Sequence, residues 1–317
     1  MATIAFFVPT DMTNLTFSGY SLTGLTNTQI TLANGINTDT IDGNFTYSGD
    51  QVFGTITGIE EHTGPTLDAQ ISGLNVDANV AENLILNNQV QALLQLGAGS
   101  GTNVITGSTG SDTLVGIGGN DVFVLTGSFN VVEGGSGFEQ AVINAPIEGA
   151  TVGVSGNTVV INSSAGQDTL VNVERVQFSD GVLAFDIQGN AGNAYRLYQA
   201  AFDRTPDIAG LSFWTHALDT GVNIQTVAQD FVNSSEFHTV FGANPTNQQL
   251  AFAMYQNVLG RAPDPAGLAF WVAALNSGTP VAAVLEGFAV SSENHALVDP
   301  TLVGGIHLNS SADLFMA

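Results

Sequence analysis

Asp112, Asp121 and Glu139 are the residues best placed to do chemistry in this chain, because each closes a glycine-rich turn at the sixth position of a nine-residue unit. Five such units run without a break from Ala98 to Val142: AGSGTNVIT, GSTGSDTLV, GIGGNDVFV, LTGSFNVVE and GGSGFEQAV. Position six carries Asn103, Asp112, Asp121, Asn130 and Glu139, all oxygen ligands. Position eight carries Ile105, Leu114, Phe123, Val132 and Ala141, all apolar. One inward residue per unit, with one oxygen at the end of each turn, describes a coil that packs hydrocarbon inside and binds cations between turns. Glycine ahead of the oxygen permits φ > 0 and a close approach of backbone to ion. The glycines so placed are Gly107, Gly110, Gly116, Gly118, Gly119, Gly134, Gly135 and Gly137.

The register resembles the RTX (hemolysin-type calcium-binding) repeat of secreted bacterial proteins, G-G-x-G-x-D-x-(apolar)-x, most closely in the units of Asp112 and Asp121. The resemblance implies a short parallel β-roll, a β-solenoid in which two units make one coil. Asn103, Asp121 and Glu139 would then stack on one side, and Asp112 and Asn130 on the other. It also implies Ca2+, a hard cation that takes six to eight oxygens. The best site is expected between the turns of Asp121 and Glu139, with carbonyls near Gly116, Gly118, Gly134 and Gly137, and a second around Asp112. Only two of the five position-six residues are aspartate, and the fourth unit lacks its first glycine. The expectation is therefore about one to three ions held at about 10⁻⁴–10⁻³ M. The alternative is a glycine-rich solenoid that binds no metal.

The flanking elements must position this run. Residues 1–76, rich in Thr, Asn and Gly, alternate with period two between Asn-Gly (34–35), Asp-Gly (42–43) and Ser-Gly (48–49), which predicts a small antiparallel sheet or sandwich. Residues 77–97 change to helical spacing with Val80, Leu84, Val90, Leu93 and Leu94 as core candidates, a helical cap for the open end of the stack. Residues 98–188 hold the repeats and further strands at 150–154, 158–161 and 168–186, the last resembling a final rung of RTX rolls.

Residues 189–299 are predicted all-α and duplicated, with units at 195–240 and 252–297. At an offset of 57 residues, Tyr198 repeats as Tyr255, Arg204 as Arg261, Asp207 as Asp264, Trp214 as Trp271, Glu236 as Glu293 and His238 as His295. The segment L-G-R-x-P-D-x-x-G-L-x-x-W resembles an uncharacterised domain family of bacterial secreted and surface proteins, and is reminiscent of phycobilisome linker domains. Arg204 and Arg261 are read as ion-paired or capping residues with Asp207, Asp264, Glu236 or Glu293 as partners; a ligand-binding role is the alternative. Trp214 and Trp271 are read as core, with sugar stacking as the alternative.

Composition bounds the partners. The chain has 28 acidic residues against four basic ones, all arginine, for a net charge of −24, and it has no cysteine. Such acidity argues against nucleic acid and anionic membranes and fits a protein that meets divalent cations. The 44% hydrophobic content says that the chain folds. MATIAFFVPTDMTN lacks the positive start and apolar length expected of a signal peptide, no transmembrane helix is expected, and no HExxH, GxSxG, P-loop or dinucleotide fingerprint is present. Residues 300–317 form a tail ending Asp313-Leu314-Phe315-Met316-Ala317, which resembles the uncleaved signal of type I export. The expectation is a non-enzymatic, exported, calcium-binding protein that self-associates as a homo-oligomer or polymer at the cell surface or in the matrix. A module that binds surface polysaccharide is the runner-up, and a secreted enzyme with an unrecognised catalytic domain the third reading.

Overall fold

A computed structural model describes residues 1–49 and 51–310 of the chain, which divides into two compact units, Met1–Ser179 and Asp180–Ala317. The expected limits at 76 and 97 fall inside the first unit, and the one at 188 falls inside the second. The tail Asp313–Ala317 lies outside the described residues. The first unit is built on a large mixed sheet; the second is helical.

The first unit opens with β1 (Thr3–Phe6), followed by β2 (Ser21–Leu25), β3 (Gln29–Asn34), β4 (Asn37–Ser48), β5 (Gln51–Thr63) and β6 (Thr66–Asp77). Strands β2 to β6 pair in sequence as an antiparallel meander, and β6 returns to pair with β1. The Asn34–Gly35 turn sits between β3 and β4 as its dipeptide predicts, with Gly35 at φ +66°. Asp42–Gly43, expected as a turn, instead lies inside β4 at a bulge, where a Cβ on Gly43 would strike the Thr55 carbonyl. Glycine is needed there for close approach, not for reversal.

Helices α1 (Ala78–Leu86) and α2 (Val90–Ala98) pack on β5 and β6. They bury Ala78, Ala81, Val90, Leu93 and Leu94, whereas Val80 is exposed. The segment 77–97 thus covers the meander and is not the expected cap of the repeat stack. The end of that stack is covered by β1, which runs parallel to the first repeat strand on one edge and antiparallel to β6 on the other. The meander is accordingly part of a larger sheet covered by helices, and not a separate sandwich.

The repeats give β7 (Asn103–Thr106), β8 (Thr113–Val115), β9 (Asp121–Leu125), β10 (Val131–Glu133) and β11 (Gln140–Ile143). After them come β12 (Thr151–Ser155), β13 (Thr158–Ser163), β14 (Gly166–Val171) and β15 (Arg175–Gln177). Within this unit the chain alternates between two sheets. One runs β15-β11-β9-β7-β1 and on into β6, with every pair from β15 to β1 parallel; the other runs β12-β13-β14-β10-β8 with β14-β10-β8 parallel. All five position-eight side chains are fully buried, and Ile4, Met12, Leu170 and Val176 extend the same interior stacks. One apolar residue per strand therefore suffices, because strands from two sheets face each other over it.

The second unit contains β16 (Val182–Ala184), eight helices and β17 (Ile306–Leu308) among the described residues. The helices are α3 (Asn190–Phe202), α4 (Ile208–Asp219), α5 (Ile224–Val232), α6 (Ser235–Phe241), α7 (Asn247–Leu259), α8 (Pro265–Asn276), α9 (Val281–Ala289) and α10 (Ser292–Val298). The start and end of each of the first four recur 57 residues later in the second four, as from Asn190 to Asn247 and from Phe241 to Val298. Both copies share one apolar core, with Leu197, Tyr198, Phe231, Met254, Tyr255 and Phe288 among its members.

Candidate metal centre

The position-six side chains form two hydrogen-bonded ladders, one along each edge of the parallel strands. On the first edge the backbone N–H of Ala2 donates to Asn103 Oδ1 (3.1 Å), that of Asn103 to Asp121 Oδ1 (3.2 Å), that of Asp121 to Glu139 Oε2 (2.7 Å), and that of Glu139 to Glu174 Oε2 (2.6 Å). On the second edge the N–H of Thr10 donates to Asp112 Oδ1 (2.7 Å), that of Asp112 to Asn130 Oδ1 (3.1 Å), and that of Asn130 to Asp168 Oδ1 (3.0 Å). Every rung satisfies a buried or partly buried backbone donor, so position six must be an acceptor whether or not it binds a metal.

The asparagines complete the ladders without help. Asn103 Nδ2 lies within 2.7 Å of Asp121 Oδ1, 3.1 Å of Gly101 O and 3.2 Å of Gly118 O. Three oxygens from two stacked turns thus converge on one amide nitrogen. Eighteen residues on, Asp121 stands where Asn103 stood and Glu139 where Asp121 stood, so no amide is available. There, Glu139 Oε1 is buried with no hydrogen-bond partner. A Cβ added to Gly137 would strike both Gly119 O and Glu139 Oε1, which places the orphaned oxygen beside a carbonyl of the turn above.

The turns on this edge permit that approach. Gly119 and Gly137 have φ of +87° and +144°, a region that favours glycine. Gly116 and Gly134 serve differently: a Cβ at either would collide with the carbonyl of the next turn, Gly134 O and Asn172 O respectively. Gly118 and Gly135 also have positive φ, whereas Gly107 and Gly110 on the second edge do not. Around Asp112 the donors are already in place, since Ser108 Oγ lies 3.1 Å from each of its oxygens and Thr10 N reaches Oδ1. Asn130 Nδ2 donates to Asp168 Oδ1 (2.8 Å), while Asp168 Oδ2 is buried without a partner.

Electrostatics follow burial. Glu139, only 1% exposed, has its carboxyl pushed up to about 7, chiefly by desolvation and further by the charges of Asp121 and Glu174, against the opposing Asp121 N–H. Desolvation raises Asp121 and Asp168 as well. Arg175 is the one arginine of the first unit; it is buried over the Phe138 ring at 4.8 Å. Among the described residues no three Asp, Glu, His or Cys side chains converge as a metal cluster, so a cation here would need carbonyl oxygens besides carboxylates. The Glu139 edge has that donor set: an orphaned carboxylate oxygen, a second carboxylate one rung away, and stacked glycine carbonyls.

Asp168 and Glu174 were outside the residues expected from the nonapeptides, and the sequence did carry a signal for them. Asp168-Thr-Leu-Val repeats Asp112-Thr-Leu-Val, and Glu174-Arg-Val has the acidic, polar, apolar order of Glu139-Gln-Ala. Residues 144–167, which contain the β12–β13 hairpin, separate this coil from the others and break the nine-residue count.

In the second unit the duplicated motif forms two equivalent clusters. Arg204 Nε donates to Glu236 Oε1 (2.6 Å) and Arg261 Nε to Glu293 Oε1 (2.5 Å), each guanidinium lying 5.0 Å over the ring of Tyr198 or Tyr255. Asp207 and Asp264 cap α4 and α8 by accepting from Gly210 N and Gly267 N. Trp214 and Trp271 are half-buried against Phe231 and Phe288, while their neighbours Phe213 and Phe270 are both 63% exposed. Arg196, which the motif did not single out, is buried and donates to Asp299 Oδ1 (2.7 Å) and Ile187 O (2.9 Å); its counterpart in the second copy is Ala253.

A family model described as a domain of unknown function (DUF4214) matches residues 228–298, from within α5 to the end of α10. No curated protein matches the chain. Among solved structures, the extracellular lipase LipA from Serratia marcescens aligns with 25% identity over 25% of this chain and 13% of its own, at a TM-score of 0.24. The alignment thus spans a small part of either protein, and at that score it bears on neither fold nor activity.

Proposed function

We propose that the parallel strands from β7 to β15 are an RTX-like β-roll, and that the chain is an exported, non-enzymatic structural protein whose folding and self-association depend on calcium. The observation that carries the reading is the Glu139 edge, where a buried carboxylate oxygen without a donor lies beside the Gly119 carbonyl of the turn above. Glu139 would hold the ion with main-chain oxygens of the turns 116–119 and 134–137, and Asp121, whose oxygens already accept from Asn103 and Ile117, would add its charge one rung away. Asp168 is the acidic residue of the second edge with an oxygen to offer, whereas Asp112 is engaged by Ser108 and Thr10. Asn103 and Asn130 act as amide staples that need no ion. Calcium, when bound, supplies the positive charge that the buried carboxylates lack.

Without that charge, burial opposes ionisation of Asp121, Glu139 and Asp168, and the roll is weakest where they must ionise. A chain with net charge −24 also repels its copies. Low calcium therefore favours an unfolded, export-competent roll, and millimolar calcium favours a closed one that can associate. Calcium titration followed by calorimetry and far-UV circular dichroism tests the binding: no heat and no spectral change up to about 10 mM would remove the metal from this account. Electron microscopy with and without chelator tests assembly, and monodisperse particles in both conditions would remove the polymer.

The exposed Phe213 and Phe270 favour a second reading, a module that binds polysaccharide by stacking sugar rings on two equivalent aromatic positions. A glycan array separates the readings, since a purely structural protein gives no binding that depends on Phe213 and Phe270.

A further inference from the structure

The meander of the first unit carries an acidic site that the roll does not use. Strands β4 and β5 set Asp39 directly opposite Glu61. Facing carboxylates across a strand pair repel, and no basic group is at hand to relieve them. The chain has no lysine, and its arginines stand at 175, 196, 204 and 261, none of them lining this wall. His62 Nε2 lies 3.5 Å from Glu60 Oε2. Asp39 is 97% buried (3% exposed), and its Oδ1 has no hydrogen-bond partner. The Tyr20 hydroxyl hydrogen-bonds the same carboxyl and is itself bonded to the Asn37 side chain.

Asp39 and Glu61 line a cavity of about 290 Å³ together with Tyr20, Phe6, Phe17 and Ile59. One wall is therefore anionic, and Phe6, Phe17 and Ile59 give apolar surface beside the uncharged polar side chains of Asn14, Ser18 and Asn34. Burial, aided by Glu61, pushes the Asp39 carboxyl up to about 7; burial with Asp39 and Glu61 pushes the Tyr20 hydroxyl up to about 12. The cavity is short of one positive charge.

We infer that this cavity binds a small primary amine, its ammonium group held between Asp39 and Glu61 and its apolar body against Phe6, Phe17 and Ile59. An ammonium has three donors and no acceptor, which matches two carboxylates and a hydroxyl oxygen converging from one wall. The aromatic rings add cation–π attraction and hydrocarbon contact. A metal ion would need six or more oxygens drawn in around it, and among the described residues no three Asp, Glu, His or Cys side chains converge to start such a shell. A neutral sugar would leave the carboxylate pair unrelieved. The volume suits a ligand at the small end of the pocket range.

Phenethylamine is a direct probe, with phenethyl alcohol as its neutral counterpart, both measured by calorimetry on the full chain in calcium-containing buffer at pH 8. The amine is expected to bind one to one, at least about tenfold more tightly than the alcohol. Asp39→Asn and Glu61→Gln are each expected to weaken it by about tenfold or more, with circular dichroism unchanged. Equal affinity for amine and alcohol overturns the inference, as does absence of amine binding up to about 10 mM. Raising calcium until it displaces the amine competitively would also overturn it, because the site would then be a metal site. Should Asp39→Asn fail to fold, Glu61→Gln and the amine–alcohol pair still decide the matter.

Discussion

Replacing Glu139 by glutamine probes the roll most directly, because it changes a charge while keeping the shape. Glu139 is buried and its carboxyl titrates at about 7, against an unfolded value near 4.5. A carboxyl raised in the folded state contributes stability that is complete below its unfolded pKa and is lost as pH rises through the folded one. The loss therefore falls between about pH 4.5 and pH 7, and at 1.36 kcal/mol per pKa unit it amounts to about 3 kcal/mol at pH 8. Glutamine has no such loss. Its carbonyl can still accept from Asp121 N, and its amide would stand beside Gly119 O, where Glu139 Oε1 now lies. In chelator, Glu139→Gln should thus be more stable than the parent by about 2–3 kcal/mol at pH 8 and unchanged at pH 4. Calcium should close most of that gap, since it stabilises the parent by about 2 kcal/mol at fiftyfold excess over Kd and has lost its ligand in the variant. Urea unfolding read by the far-UV signal reports on the strands. Both tryptophans, Trp214 and Trp271, lie in the second unit, and their fluorescence serves as an internal control. A variant less stable than the parent in chelator at pH 8, or equally shifted at both pH values, would refute the reasoning.

Other positions give sharper local tests. Gly134→Ala should cost about 1–3 kcal/mol, because its Cβ meets the Asn172 carbonyl; a thermal midpoint within a degree of the parent would show that the turns slide apart freely. Asp39→Asn should stabilise the amine-free chain at pH 8 by a few kcal/mol and leave it unchanged near pH 4, since Asp39 titrates at about 7 beside Glu61 and Tyr20, with Asp68 acting on Glu61; urea midpoints at the two pH values check this, and equal shifts at both would exclude a charge effect. Glu293→Gln should change stability by less than about 1 kcal/mol, because the Arg261 pair is exposed; a loss above about 2 kcal/mol on thermal unfolding would mean that the duplicated arginines hold the helices together.

Much of this was legible because repeats encode geometry twice. The five units gave the register of β7 to β11, and position eight gave the interior, since a stacked strand needs the same residue type at the same place in every coil. The 57-residue offset likewise located each helix of the second unit. What the sequence hid was continuity. The end coil next to β7 is made by residues 2–12, which carry no glycine-rich turn, and their role shows only in Ala2 N and Thr10 N donating to Asn103 and Asp112. At the other end, the β12–β13 hairpin pushes Asp168 and Glu174 out of phase. The helical segment 77–97 has an apolar face but no mark of which sheet that face meets, and β6 won it through Leu74 and Val76, which lie against Gly97.

The two ladders explain why a degenerate repeat is not a defective one. A backbone N–H on each rung demands an acceptor, and Asn, Asp and Glu all provide one, so the fold tolerates any of them at position six. They differ in what remains. Asparagine offers a second group that donates to the carbonyls of stacked turns, and its rung closes without charge. Aspartate and glutamate offer a second oxygen, which faces those carbonyls and repels them unless a donor or a cation lies between. Asp112 has its donor in Ser108; Glu139 has none. Mixing the residue types along one edge therefore sets how many coils close on their own and how many wait for an ion. On this argument Asn103→Asp should convert the coil nearest β1 from self-closing to ion-dependent, weakening the chain in chelator and raising the number of calcium ions bound, a change that calorimetry counts directly.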